Sequence, residues 1–489
     1  SRPRSTGPSR RSRPRSTSRR RPRTPRAPNP RRRRTLPPRR PPSRRHPHTL
    51  PPLRPTNPLP LLRRTPLPPN LRHLSRPRRR TLQAPSHRLA SLPRPSRPRR
   101  RTPLLPSLDA QSMEIISRWI PGWGIDAVTL PLAVDLNIAT DSATKAARTL
   151  ARDEDFKFRA AHWGDLHRRL HEELPPAVTV LWGHQFLSFE APDDTRGVVA
   201  TARVLRTGGT VEATGDLLIA ADGSTSSVRR SFLPDLKLRY SGYCAWRGVF
   251  DFSGKESSDT MTSIRRAYPE LGNCLYFDLA YKTHAVLYEL PRSRLNWLWY
   301  INGPEPELAG NSVTMEATDA MVGRMRNEAE RVWCPELARL VRETAAPFVN
   351  VIYDADPLRR LSWTGGRVVL VGDAAHPTTP HGLRSTNMSV MDACTLGQCL
   401  ANWNSEPTPA RALAEYEAVR LPVVAEQVLH ARQLGRLKQG LPVDGEAEDG
   451  FDVTTAKAEV LQLRQRTMPF FDGAPAAVGG DFPLVGSTR

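Results

Sequence analysis

The chain has 489 residues and a formal net charge of +25, but the charge sits at one end: residues 1–107 hold 33 Arg, no Lys, Asp or Glu, and 27 of the 49 prolines, leaving the rest at −8. A mildly acidic body argues against a nucleic-acid-binding core, and no run of about 18 apolar residues marks a membrane span. The five cysteines, Cys244, Cys274, Cys334, Cys394 and Cys399, form an odd set without C-x-x-C spacing, which points away from a disulfide framework or a zinc site.

The first 107 residues contain no Val, Ile, Phe, Tyr, Trp, Met or Cys. Such a segment cannot bury enough apolar surface to offset the entropy of ordering it, so a disordered Arg/Pro-rich tail is expected. Frequent prolines forbid the amphipathic helix of an organelle-targeting segment, and no aromatic residue is available for base stacking, which weighs against a nucleic-acid arm. A GC-rich coding segment read out of frame would give this Arg, Pro, Ser and Thr mixture, and Ser1 in place of a methionine fits that expectation.

Globular patterning starts at Asp109. In "AQSMEIISRWI", Met113, Ile116, Trp119 and Ile120 share one helical face; in "WGDLHRRLHEEL", Leu166, Leu170 and Leu174 recur every four residues before Pro175 stops the helix. "AVTVLWG" and "VVATARVL" read as strands, and "DLLIAADG" as a buried central strand at Leu217 to Ala220. From about residue 237 to 354, "YCAWRGVFDF", "CLYFDLA", "HAVLYEL" and "LNWLWYING" have the spacing of antiparallel strands, interrupted by a helix in "ATDAMVGRMRNEAERVW". "GRVVLVGDAAHP" then runs a buried strand, Val368 to Val371, into a turn, and "NMSVMDACTLGQCLANW" supplies the following helix. A long helix covers Pro409 to Gln439 with Pro422 inside it, and residues after 441 carry no clear pattern.

Two of these stretches carry chemistry. In "GRVVLVGDAAHPTTPHGLRSTNMSVMDACTLGQCL", a strand delivers Gly372 and Asp373 to its carboxyl end, where open α/β sheets bind ligands. Ala374 and Ala375 allow close approach of a bulky group, Pro377 and Pro380 stiffen the turn, and Gly382 permits a tight backbone before a helix whose amino end favours negative charge. Ser385, Thr386 or Asn387 could cap that helix. In "LLIAADGSTSSVRR", a second strand ends at Asp222 and Gly223, followed by hydroxyls and two arginines. A capped turn without a ligand is the alternative for either motif taken alone, since Asp-Gly turns occur widely.

These two motifs, in this order and about 150 residues apart, resemble the class A FAD-dependent aromatic monooxygenases of the 4-hydroxybenzoate hydroxylase fold. "SGYCAWRGVFDF", "LNWLWYING" and "HWGDLHRRL" are similar to the 2,6-dihydroxypyridine 3-monooxygenase branch. The resemblance implies an α/β fold: a Rossmann-like FAD-binding domain in two parts, 108–236 and 355–440, an inserted antiparallel-sheet substrate domain at 237–354, and a C-terminal extension at 441–489. It implies that Asp373 accepts hydrogen bonds from ribityl hydroxyls, that Pro377 sits beside the isoalloxazine, and that the backbone of Gly382, Leu383, Arg384, Ser385, Thr386 and Asn387 faces the flavin pyrimidine edge. Asp222 and Gly223 would lie near the pyrophosphate and nicotinamide path, and Trp163 falls where many relatives carry an FAD-contacting arginine. Relatives have glycines where Leu383 stands; Arg384 adds positive charge near the flavin or points into solvent.

The implied cofactors are FAD with NAD(P)H as reductant, and the implied reaction is O2-dependent hydroxylation of a small aromatic or heteroaromatic ring through a flavin hydroperoxide; the sequence leaves the compartment open between the cytoplasm, which is the expectation, and an organelle. Protein residues would position the substrate and exclude water, so no acid–base triad and no metal is required. Tyr243, Trp246, Arg247, Tyr276, His284, Tyr288 and Trp299 are candidates for positioning or for plain sheet packing, and His376 and His381 flank the flavin turn. The family's opening strand, G-x-G-x-x-G turn and helix find no match: Gly7 is the only glycine before Gly122, and no acidic residue precedes Asp109. Weak FAD binding, marginal folding and an exposed sheet are therefore expected. The rival readings are an inactive remnant with a polyanion-binding tail and an uncoupled NADPH oxidase.

Overall fold

The computed structural model describes residues 107–443 and Asp452, apart from 121, 123, 192–196, 309–311, 402 and 404–407. The expectations for residues 1–106 and for nearly all of the segment after 440 lie outside the described residues. Ser107, expected in the tail, is a strand residue paired with Ala160.

The largest element is an eight-stranded sheet in the order Thr314–Met315, Phe348–Asp354, Arg239–Asp251, Arg294–Asn302, Thr283–Leu290, Cys274–Ala280, Val134–Thr140, Ala147–Asp153. All neighbours are antiparallel except Cys274–Ala280 against Val134–Thr140. The expected boundary at residue 237 therefore does not divide the sheets, because two strands from residues 134–153 complete this one. Alternation along the strands gives the sheet two apolar faces. One buries Trp246, Tyr276, Leu287, Trp297 and Trp299 under the helices Asp259–Ala267, Asp319–Val332 and Pro335–Glu343. The other presents Tyr243, Ala245, Phe277, Val286, Tyr288, Leu298 and Tyr300 toward Leu434 and Leu437 of the long helix Ala410–Lys438. Asp354 fastens that helix to the sheet, accepting from Arg239 through two nitrogens at 2.9 Å each and from Arg432 Nε at 2.8 Å.

A second sheet is small: Val368–Leu370 runs parallel to Leu218–Ala220 and antiparallel to Ser362–Trp363. Among the described residues Leu218–Ala220 pairs on one side only and Ile219 is 46% exposed, so the strand expected to be central lies at an edge of the described sheet. Three further expectations are corrected. Residues 177–183 form turns and irregular chain, because Pro175 and Pro176 break the backbone; Val178 and Leu181 stay exposed, and Trp182 only touches the rings of His167 and His171. The helix Ala110–Trp119 buries Ser112, Ile115 and Ile116 and leaves Trp119 exposed, and Leu174, beyond the end of the helix Trp163–Glu172, is also exposed. The strand after Gly366 ends at Leu370, although Val371 still donates to the Ala220 carbonyl at 3.0 Å.

This asymmetry is measurable. Leu370→Ala, at a fully buried position, is expected to cost about 2–5 kcal/mol, whereas Ile219→Thr is expected to change stability by about 0.5 kcal/mol or less. Denaturant midpoints of the two variants check both values, and a large loss for Ile219→Thr would mean that the outer edge is covered.

Candidate functional site

Gly372 follows the strand Val368–Leu370 with φ 58, a left-handed conformation that glycine adopts without steric cost. Its amide donates to Asp392 Oδ2 at 2.8 Å, and the same carboxylate meets His376 Nε2 at 2.6 Å and Arg420 Nε at 2.7 Å. Burial alone would raise the Asp392 carboxyl, but these contacts outweigh it and bring the group down to about 2. One side chain thus ties the turn to the helix Arg384–Ala401, on which it sits, and to the long helix that carries Arg420.

The rest of the turn folds back on Asp373. Ser385 Oγ donates to Asp373 Oδ1 at 2.6 Å, across the entrance of the helix. Gly382 and Leu383 both have positive φ, 75 and 59, so Leu383 holds a conformation that a side chain makes costly. The helix starts at Arg384, directly after the short 3-10 turn His381–Leu383, so Ser385, Thr386 and Asn387 lie inside its first turn and none stands at the expected capping position. Arg384 is 1% exposed, which removes the solvent-pointing alternative; burial pushes its guanidinium down to about 10, with Asp109 opposing. Asn387 serves packing between segments: Oδ1 accepts from Asp109 N at 3.0 Å, and Nδ2 donates to Ser107 O at 2.9 Å.

The second strand end adjoins the first. Asp222 accepts from Ser226 Oγ at 2.5 Å, Ser227 N at 2.7 Å and Val228 N at 3.3 Å, so its carboxylate caps the helix Ser227–Phe232. Burial raises that carboxyl, and these donors overcome the rise to hold it below the usual range. Gly223 turns the chain at φ 81, and Ser224 reaches the shared cavity. Arg229 joins the two ends, donating to Ala374 O at 2.7 Å, to Asp373 O at 3.2 Å and to Ser224 O.

A cavity of about 260 Å³ lies where these turns face the large sheet. The turn side contributes Ser224, Asp373, Thr378, Pro380, His381 and Leu383 through Thr386; the sheet side contributes Arg247, Tyr288, Tyr300 and Asn350 with apolar Phe277, Val286, Leu298 and Ile352. Of the residues expected to contact a cofactor, Asp373, Leu383, Arg384, Ser385 and Thr386 line this space. Gly372, Gly382, Gly223 and Asp222 shape its turns from behind. Pro377 is buried beneath, accepting from Ala355 N at 3.1 Å, and Pro380 takes the wall position. Trp163 stacks on His167 at 4.6 Å and is not part of the lining.

The sheet candidates divide by face. Trp246, Tyr276 and Trp299 pack on the helix side, while Arg247 and Tyr288 line the cavity. Tyr243 and His284 lie just behind it: His381 Nδ1 is 3.3 Å from the Tyr243 hydroxyl, and His381 Nε2 is 3.3 Å from His284 Nε2. Burial drives His284 down to about 3 and His381 also well below its ordinary range, so the pair is uncharged at neutral pH. Gly435 permits this approach, since a Cβ there would collide with the Tyr243 hydroxyl and His381. Residues 107, 300 and 350 carried no local signal; strand register brings Tyr300 and Asn350 to the wall, both opposite Ala245.

A family model described as an FAD binding domain matches residues 352–431, from the last sheet strand through most of the long helix. FAD-dependent urate hydroxylase from Klebsiella pneumoniae is 30% identical over 306 residues, covering 60% of this chain and 68% of that protein. 3-Amino-4-hydroxybenzoate 2-monooxygenase from Streptomyces cremeus is 32% identical over 274 residues, 56% of this chain and 61% of that one. The solved structure of 2,6-dihydroxypyridine-3-hydroxylase from Arthrobacter nicotinovorans shares the fold, with TM-score 0.56 at 20% identity over 71% of this chain and 86% of that one. The chain belongs to the family of FAD-dependent aromatic-ring monooxygenases. It spans 53% to 61% of the length of the curated relatives it matches first.

Asp392→Asn would leave Arg420 buried without its counter-charge, at a cost of about 3–5 kcal/mol. The depressed carboxyl fixes the pH dependence: its contribution is complete above the unfolded carboxylate pKa near 4 and fades as pH falls from there toward 2. Urea titrations of wild type and variant across that range should show a gap that is constant above pH about 5 and closes below it. A pH-independent gap would contradict the ion cluster.

Proposed function

We propose that the chain is an FAD-dependent monooxygenase that hydroxylates a small aromatic or heteroaromatic ring with O2 and NAD(P)H. The observation that carries this reading is the cavity shared by the two strand-end turns and the large sheet. Thr378 Oγ1 is buried at its wall without a hydrogen-bond partner among the described residues, so polar capacity is left for a bound group. Asp373 and Ser385 would hold ribityl hydroxyls, and the first turn of the helix Arg384–Ala401 would face the electron-rich edge of the ring system, where a helix amino end and Arg384 both favour negative charge. When bound, FAD supplies the redox chemistry, accepting reducing equivalents from NAD(P)H and activating O2 for transfer to the ring. Phe277, Val286, Leu298 and Ile352 keep water from the substrate end of the space. The contacts proposed for the cofactor are those of the turn at Asp373.

One observation favours the rival reading of a chain that keeps the fold and releases peroxide or does not turn over: the outer edge of Leu218–Ala220 is unpaired among the described residues. Incubation with excess FAD, NADPH, ¹⁸O2 and a panel of hydroxylated aromatic acids separates the two. Monooxygenation predicts one labelled oxygen in the product and less than one equivalent of FAD on the purified chain. NADPH oxidation recovered wholly as peroxide, or no response to FAD, would overturn the proposal.

A further inference from the structure

Asn350 is held on the sheet side of the cavity with part of its polar capacity unused. It is 6% exposed, lines the space, and pairs with Thr314 on one side and Ala245 on the other, so two neighbouring strands fix its backbone. Packing does not call for an amide there: the residues two places away on the same face of the strand are Phe348 and Ile352. The neutral polar groups around it are engaged. Thr314 Oγ1 donates to Asn350 Oδ1 at 3.0 Å, Tyr353 donates to Glu305 at 2.7 Å, and Tyr288 and Tyr300 meet Ser107 and Arg247. The bond from Thr314 takes the oxygen end of the Asn350 carboxamide, and the hydrogens on Nδ2, at the other end, have no acceptor among the described residues. A donor kept from bulk water is unfavourable until it is satisfied, and the group that fills the cavity is the partner available.

The position of this donor limits what it can meet. Asn350, Ala245 and Tyr300 lie in one row across three strands, and only the Ala245 methyl stands between the two longer side chains. Tyr300 is held in place, its ring stacked on His284 at 4.5 Å and edge-on to Tyr243 at 6.1 Å. A planar ring seated against this row brings its edge to the Asn350 amide, which presents hydrogens while its oxygen faces Thr314. We infer that Asn350 selects the ring substrate by donating to an acceptor oxygen on the ring edge, so that rings bearing an oxo group there bind in preference to rings bearing a donor such as an amino group. This inference rests on the reading of the cavity as the substrate site. It adds a specificity-determining residue and a hydrogen-bonding class to that reading.

Binding of 2-pyridone and 2-aminopyridine to the purified full chain in excess FAD tests this role. The two rings have the same size; one carries an oxo acceptor where the other, held above the pH of its protonation, carries an amino donor. Wild type is expected to bind 2-pyridone roughly tenfold more tightly or better, and Asn350→Leu, which keeps the volume and removes the amide, is expected to bring the ratio to about one. Asn350→Asp replaces the donor with an acceptor and should reverse the preference. Because it keeps an oxygen for Thr314, the Asp variant also serves if Asn350→Leu does not fold. No binding of either ring, no preference in wild type, a preference unchanged in Asn350→Asp, or a loss of FAD affinity in place of the ring preference overturns the inference. FAD titration of the same samples keeps the two readings apart: an oxo preference set by Asn350 without FAD uptake counts against the monooxygenase and not against Asn350, whereas FAD uptake without that preference counts against Asn350 alone.

Discussion

The Arg229 guanidinium carries the arrangement on which the site depends. It is 3% exposed, and it donates to the carbonyl of Ser224 on one strand end and to those of Asp373 and Ala374 on the other. Burial lowers its pKa, and Asp222 and Asp373 oppose that fall. Carbonyl oxygens from two segments about 150 residues apart in sequence are thus held by one planar fork, a geometry that lysine cannot reproduce. Besides it, the two segments share a parallel pairing of three residues each, the Val371 amide on the Ala220 carbonyl and an apolar cluster that buries Ala220, Val228 and Leu370.

From that tie the site extends in two directions. Asp392 carries the constraint into the two helices that follow, and Asp354 carries it into the large sheet through Arg239 and Arg432. Both carboxylates are fully buried; Asp354 is held by arginines, and Asp392 by Arg420, His376 and the Gly372 amide. Buried ion pairs of this kind add little net stability compared with apolar packing, but breaking one partner is costly, so they fix relative position. The cavity between turn and sheet owes its shape to these fixed positions.

The strands of the large sheet were legible because their residues are apolar on both faces and end at turns, as in Cys274–Ala280, where every residue is buried. The Asp373 turn was legible from its small and rigid residues. Other features were not, for physical reasons. Asn387 looked like a cap because the chain segment it holds, at Ser107 and Asp109, is nearly 280 residues away. Val178, Val180 and Trp182 imitate a strand, but they follow two prolines and lie exposed in turns and irregular chain. Leu218–Ala220 has the composition of a central strand, while its position depends on what lies beside it. Tyr300 and Asn350 enter the wall through register alone, and no local pattern encodes register between strands so far apart.

A crystal structure of the chain grown with FAD tests the central claim most directly. The account predicts isoalloxazine density between the Pro380–Thr386 turn and the wall of Arg247 and Tyr300, with the ribityl chain at Asp373. Flavin bound elsewhere, or that space filled by packed side chains with Arg229 no longer joining the two turns, would contradict it.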